Sequence, residues 1–320
     1  MRKIFLFLSC LLLLSAACAP QSAPAGTDSG KRTIVTTIYP IYDWTREIIG
    51  ETDSVSLILL QDSGTDLHSF QPSAEDIVTL CSCDLLIYIG GESDEWVRDA
   101  LKSAVNPNLA AVSLMKLLGD AAREEELLPG MQADAEEESS EPELDEHVWL
   151  SLKNAAFFCE KIGAYLSELD PANADRYKAN ASDYITRLKD LDVQYENAVQ
   201  AARHPVMLFG DRYPFAYLAA DYDIGCWAAF SGCSAETEAS FETIVFLAGK
   251  LNEEDLPAIL KLESSDGSVA EAIRSASKRQ SVRILTLDSM QSAGSADLIY
   301  GPSYLDRMRS NLEVLKEALN

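Results

Sequence analysis

Two of the three histidines stand in near-identical settings: Asp66-Leu67-His68-Ser69-Phe70-Gln71-Pro72-Ser73 and Asp145-Glu146-His147-Val148-Trp149-Leu150-Ser151. A neutral imidazole is a common ligand for divalent transition metals, and a carboxylate two residues earlier can fix its tautomer or add negative charge nearby. The repetition predicts a metal site. Histidines more often serve a surface or a core, so the pair gains weight only from its compartment and its place in the fold. The third, His204, precedes Pro205 at a strand start and reads as a solvent-facing loop residue at the wrong end of that strand.

The compartment is named by the N-terminus. Arg2-Lys3 precede an apolar run from Ile4 to Leu14, and Ser15-Ala16-Ala17 lead into Cys18. Residues 1–17 read as a cleaved secretory signal, too short to span a bilayer. The junction Leu14-Ser15-Ala16-Ala17-Cys18 resembles a bacterial lipobox, which implies that Cys18 is acylated and anchors the chain to the outer face of the cell membrane. Ser15 stands where leucine is more usual. Residues 18–31, rich in Ser, Ala, Gly and Pro, read as a flexible tether.

A net charge of -25 over 320 residues makes nucleic acid or an anionic surface an improbable partner. Much of that charge falls in residues 120–146, where Arg123 is the single base, and the segment reads as a mobile, solvated loop. Beyond Cys10 and Cys18, the thiols are Cys81, Cys83, Cys159, Cys226 and Cys233. Cys226 and Cys233 could pair across a loop, no pairing follows from sequence, and none of these thiols is assigned to a metal.

The elements that must position the histidines follow from periodicity. Strand-like runs at Thr33–Ile38, Val55–Leu60 and Leu85–Ile89 alternate with helix-like segments at Tyr42–Ile49 and Ala74–Leu80. The second half repeats the pattern: strands at Val206–Phe209, Ile224–Ala228, Ala258–Leu262 and Ile284–Leu287, helices at Phe215–Ala220, Phe241–Leu251, Val269–Ser277 and Tyr304–Ala318. Such alternation predicts an α/β protein of two parallel-sheet lobes with at least two cores. Residues 152–203 lack strand signals, and Ala172–Ala201 predicts one long helix joining the lobes. The organisation is a first lobe over 32–151 containing the acidic loop 120–146, a helical connection over 152–203 and a second lobe over 204–320. In open parallel sheets ligands bind beyond the carboxyl ends of strands. His68 follows one apolar run, and Asp211 and Asp288 end two others, so all could share one cleft. Each aspartate could equally be a helix cap or loop carboxylate.

With these motifs in hand, the chain resembles the solute-binding proteins of zinc and manganese ABC transporters, a cluster that includes metal-uptake receptors and streptococcal adhesin lipoproteins. The resemblance runs over the mature chain. It rests on Thr37-Ile38-Tyr39-Pro40, Asp66 to Ser73, Cys83-Asp84-Leu85, Asp145 to Leu150 and Leu169-Asp170-Pro171. It implies two lobes bridged by one rigid backbone helix, as in metal-receptor binding proteins, with a metal held between them. It implies His68 and His147 as ligands, and Asp288, followed by Ser289, as the last. The remaining family ligand, a His or Glu three residues before a phenylalanine, falls on Arg212, counted back from Phe215, and arginine cannot ligate. Asp211 is the expected substitute, with Glu236 and Glu238 in reserve, while Glu263 reads as structural. Two imidazoles and two carboxylates lie between zinc and manganese preferences, and the imidazoles tilt the expectation to Zn2+ over Mn2+.

The resemblance thus implies a monomeric extracytoplasmic receptor, not an enzyme, that delivers its metal to a permease driven by an ATPase. Two other classes are carried beside it: a secreted metal-dependent hydrolase, without a His-Glu-x-x-His or Gly-x-Ser-x-Gly motif to support it, and an adhesin in which the metal only stabilises the fold.

Overall fold

Strands buried on both faces carry uninterrupted apolar residues, and this explains most of the element pattern. The computed structural model describes residues 30–132, 143–234 and 238–320. The signal, Cys18, nearly all of the tether and Glu236 lie outside the described residues. In chain order the first sheet and its helices are β1 (Arg32–Thr36), α1 (Tyr39–Ile49), β2 (Val55–Leu59), α2 (Ala74–Ser82), β3 (Leu85–Tyr88), α3 (Glu95–Leu101), β4 (Ala110–Ser113) and α4 (Leu114–Leu118). Two helices follow, α5 (Leu152–Leu169) and α6 (Ala174–Gln200). The second sheet and its helices are β5 (Val206–Arg212), α7 (Ala216–Tyr222), β6 (Gly225–Phe230), α8 (Phe241–Glu253), β7 (Ala258–Leu262), α9 (Ser268–Ala276), β8 (Arg283–Leu287), α10 (Ser295–Tyr300) and α11 (Tyr304–Ala318).

Both sheets are four-stranded and wound alike, in the orders β2-β1-β3-β4 and β6-β5-β7-β8, and every pairing is parallel. Register follows the apolar runs: Val35 pairs with Ile58 on one side and Leu86 on the other. Parallel winding sends all carboxyl ends of a sheet to one edge, and the loops leaving β2, β3, β6 and β8, with the segment that leads into α5, carry the site described below.

Helix α6 runs for 27 residues, about 40 Å at 1.5 Å per residue. It buries Tyr177, Ala181, Tyr184, Leu188, Leu191, Tyr195 and Val199, a stripe recurring every three or four positions. These residues belong to one apolar cluster that also takes Ile34 and Leu85 from the first sheet, Phe209 and Leu260 from the second, Trp44 from α1, Phe158 from α5 and Met308 from α11. The opposite faces of the sheets have cores of their own. Val35 and Leu86 pack with Leu80 and Val97, and Leu208 and Ala229 with Leu247 and Ile273. The lobes are therefore fused through a shared helical layer, and residues 31–320 form one compact unit. Among the described residues no helix is long and apolar enough to cross a membrane.

The centre of the acidic segment, 133–142, lies outside the described residues, and with it most of the loop expected there. Its described flanks carry exposed acids on a paired backbone: Glu124 bridges to Leu144, Glu125 N donates to Glu143 O at 2.8 Å, and Arg123 N donates to the Tyr217 hydroxyl at 2.9 Å. Gln132 N donates to Ala229 O at 2.9 Å, so one flank reaches strand β6 of the second sheet.

Candidate metal centre

His68 lies in a single 3-10 turn after β2, whose entry is fixed by Asp66 Oδ1 accepting from His68 N at 3.1 Å. His147 lies just before α5, and Asp145 Oδ1 accepts from its backbone N at 2.8 Å. The two local turns are alike, as the repeated motif requires, but their outer partners differ. Asp145 Oδ1 also accepts from His147 Nδ1 at 2.7 Å. Asp66 instead turns Oδ2 to Arg212 at 2.6 Å, and His68 Nδ1 is held by Glu146 Oε1 at 3.2 Å and Ser93 Oγ at 3.0 Å. Ser93 Oγ in turn donates to Glu146 Oε1. The preceding acid thus fixes the ring of His147, whereas Asp66 meets His68 at its backbone N and adds charge nearby, leaving the ring to Glu146 and Ser93.

Carboxylates only accept, so when the rings are neutral both Nδ1 atoms carry the proton and both Nε2 atoms present lone pairs. Those two Nε2 atoms stand 3.3 Å apart. Two such acceptors cannot bond to each other, and a donor, a proton or a metal cation must mediate. In this structure Gln291, beyond β8, directs its amide nitrogen to both, at 3.1 Å from His68 and 2.5 Å from His147. Ser289 Oγ at 3.1 Å from Gln291 Oε1 orients that amide. An indole bond from Trp149 Nε1 to Ser289 O, 2.9 Å long, stitches the loop of His147 to the loop of Gln291.

The site is buried: His147 is 0% and Glu146 1% exposed. Burial opposes charge on His147, but the charge of Asp145 and its hydrogen bond outweigh this and raise the imidazole above its ordinary pKa. Burial likewise pushes Glu146 up, yet hydrogen bonding and the charge of His68 hold it below the usual carboxylate range. Asp94, buried among backbone amides and near the charge of Glu146, is pushed up to about 6.

The remaining sequence candidates have other partners. Asp211 accepts from Arg212 N at 2.8 Å and Leu262 N at 3.0 Å, one bond to each oxygen. Asp288 accepts from Arg307 Nη1 at 2.6 Å and Met290 N at 2.9 Å. In this structure both carboxylates are engaged by amides and, for Asp288, by the Arg307 guanidinium, and neither is brought against the two imidazoles as a ligand group. Glu263 accepts from Ser289 N at 2.8 Å, in line with a structural part. Glu238 is exposed in the cleft lined by His68, Asp211 and Arg212. His204 sits before β5, at the opposite end from the site.

Among the described residues, the group of His, Cys, Asp and Glu side chains that could hold a metal is His68, His147 and Cys233, their ligand atoms all within 4.8 Å of one another. The sequence reading left this thiol out. Cys226, near the start of β6, and Cys233, in the loop after it, are both free. The structure therefore holds no disulfide between them. Cys233, Gln291, Ser93 and Glu146 complete the site, and the only local sign of any of them was Glu146 inside a histidine motif.

Two like-wound lobes fused by one long helix, with imidazole lone pairs converging at the carboxyl ends of the sheets, define a two-lobe solute-binding protein with a cleft suited to a transition-metal ion. The profile of the family described as "Zinc-uptake complex component A periplasmic" matches residues 34–318, and the chain belongs to this family. The Streptococcus pneumoniae "Zinc-binding lipoprotein AdcA" is 30% identical, over 99% of this chain and 61% of its own length. The Bacillus subtilis "High-affinity zinc uptake system protein ZnuA" is 28% identical, over 99% of this chain and 97% of its own. The chain thus spans about three fifths of the AdcA relatives it matches. Among solved structures, the Bacillus subtilis metal-dependent lipoprotein YcdH superposes with a TM-score of 0.73 at 26% identity, covering 91% of this chain and 100% of that one. The Zn(II)-bound ZnuA-like domain of Streptococcus pneumoniae AdcA gives 0.70 at 27%, covering 91% and 99%.

Proposed function

We propose that this protein captures zinc outside the cell membrane and passes it to an ABC permease for uptake, anchored through lipidated Cys18 and acting as a monomer. The observation that carries the reading is the pair of Nε2 lone pairs 3.3 Å apart, each backed by a proton on the opposite ring nitrogen. Outer partners of this kind raise the basicity of an imidazole and fix its tautomer. The names of the relatives supply zinc as the cargo and an uptake system as the partner. Capture would displace the Gln291 amide from between the imidazoles, and Asp145 and Glu146 would keep both rings aimed at the ion. The hydrolase reading gains no support from the relatives reported above.

Competitive zinc titration of the protein tests this on wild type, His68→Ala and His147→Ala. One zinc per chain is expected, weakened at least about 100-fold by either change, beyond the 10–100-fold typical of losing an outer partner. Absence of stoichiometric zinc, or indifference to both substitutions, would overturn it. In cells, deletion should impair growth only where zinc is scarce, with rescue by added zinc.

A further inference from the structure

We propose that Cys233 is a metal ligand, supplied by the second lobe as a thiolate beside His68 and His147. The proposal deepens the receptor reading and rests on it. Three observations carry it. The position where the family resemblance expects a ligating His or Glu is Arg212, and its guanidinium is bound to Asp66 at 2.6 Å. Asp211 and Asp288, the second lobe's expected carboxylates, are held by Leu262 N and by Arg307. The second lobe does bring a donor to the imidazoles, through the loop after β6: Cys233 Sγ lies with both within 4.8 Å.

That loop is built against the site. A Cβ placed on Gly232 would stand 3.0 Å from His147 Cε1 and 3.1 Å from Nδ1, so the backbone next to Cys233 lies directly on the imidazole. Cys233 N donates to Glu125 Oε1 at 2.9 Å, which fixes the loop from the first lobe's side. The imidazole spacing fits as well. Zinc–nitrogen bonds of about 2.0–2.1 Å at a tetrahedral angle put two nitrogens about 3.3 Å apart, and a zinc–sulfur bond of about 2.3 Å puts sulfur about 3.6 Å from each. The nitrogens are already at 3.3 Å, and the sulfur lies within 4.8 Å of a nitrogen on each ring. The other described thiols lie elsewhere; Cys81, Cys83 and Cys159 are buried, and Cys81 Sγ donates to Ala100 O.

The consequence is selectivity. Thiolate is a soft ligand that favours zinc and disfavours manganese, which prefers carboxylate, carbonyl and water oxygens. Two imidazoles and one thiolate leave a fourth position for Gln291 Oε1, after rotation of its amide, or for water. The set is therefore a zinc set where two imidazoles with two carboxylates would be ambiguous.

Cobalt(II) reports sulfur ligation directly, through a thiolate-to-cobalt charge-transfer band in the near ultraviolet. The reduced protein would be loaded with cobalt as wild type, Cys233→Ser and Cys233→His, and each titrated with zinc and manganese. Expected are a sulfur band in wild type and none in Cys233→Ser. Zinc affinity should fall at least about 100-fold in Cys233→Ser with little change for manganese, and Cys233→His should recover zinc affinity without the band. A wild type that binds one cobalt without a sulfur band, or a Cys233→Ser protein with an unchanged zinc-to-manganese ratio, would overturn the thiolate while leaving the receptor reading intact. A wild type that binds neither metal would overturn both.

Discussion

The guanidinium of Arg212 donates to Asp66 Oδ2 at 2.6 Å, so the end of β5 is tied across the cleft to the turn that carries His68. Both side chains are mostly buried, and burial alone would raise the Asp66 carboxyl. The Arg212 hydrogen bond and charge win and hold it below its ordinary value. Asp66→Asn should therefore lower stability by about 1.5–3 kcal/mol, the usual worth of a hydrogen bond to a charged group. Urea denaturation of the metal-free protein measures it. An unchanged midpoint would mean that the pair contributes nothing to the fold.

Asp145 touches His147 twice, through the backbone N and through Nδ1. Asp145→Asn keeps the shape and removes the charge, so zinc affinity should drop about 10–100-fold and the His147 titration should move down. Zinc competition and imidazole NMR read the two effects separately. A full-strength site with an unmoved titration would remove Asp145 from the account.

The raised pKa of His147 carries opposite signs for the two forms of the protein. In the metal-free form, protonated His147 contributes stability that is present below the unfolded imidazole value of about 6.5 and is lost as pH rises through the higher folded value. Zinc needs the neutral ring, so its affinity falls as pH drops, starting above the ordinary histidine range. The zinc-induced rise in melting temperature should accordingly grow from about pH 5 to about pH 8, as thermal scans with and without zinc would reveal. A rise independent of pH contradicts the assignment of His147.

Gly91 probes the far partner of His68. Its φ of -87° puts no strain on a side chain, but a Cβ there would sit 2.6 Å from Glu146 Cβ. Gly91→Ala should push Glu146 away from His68 Nδ1 and weaken zinc about 10-fold, although residue 91 holds no ligand atom. Calorimetric titration measures it; full affinity would show that Glu146 yields without loss.

What could be read from the chain divides by the range of the interaction. Strand β7 (Ala258–Leu262) and helix α11 (Tyr304–Ala318) have the bounds their apolar patterns predict, the helix aided by a Ser303–Asp306 capping box. Strand β4 gave no signal, because Ala110 and Ala111 are exposed alanines at a sheet edge. The histidines were legible because each turn is fixed by an acid two residues away. Cys233 and Gln291 were not, because a thiol after Gly232 and a neutral amide after Met290 acquire meaning only when two lobes meet. Asp211 and Asp288 drew attention as strand-end carboxylates, a place where backbone amides and arginines compete with metals.

The indole bond from Trp149 to Ser289 O has its own continuation, since the Tyr304 hydroxyl donates to Trp149 O at 2.6 Å. Loops from both sheets are thereby sewn to each other and to the start of α11, close behind the imidazoles. Loading such a site would do little work on the angle between lobes, and an empty and a full receptor would present nearly the same silhouette. On the receptor reading proposed above, a transporter that must tell them apart would have to read the rim itself, where capture would change the partners of the Gln291 amide and, with thiolate ligation, of the Cys233 loop.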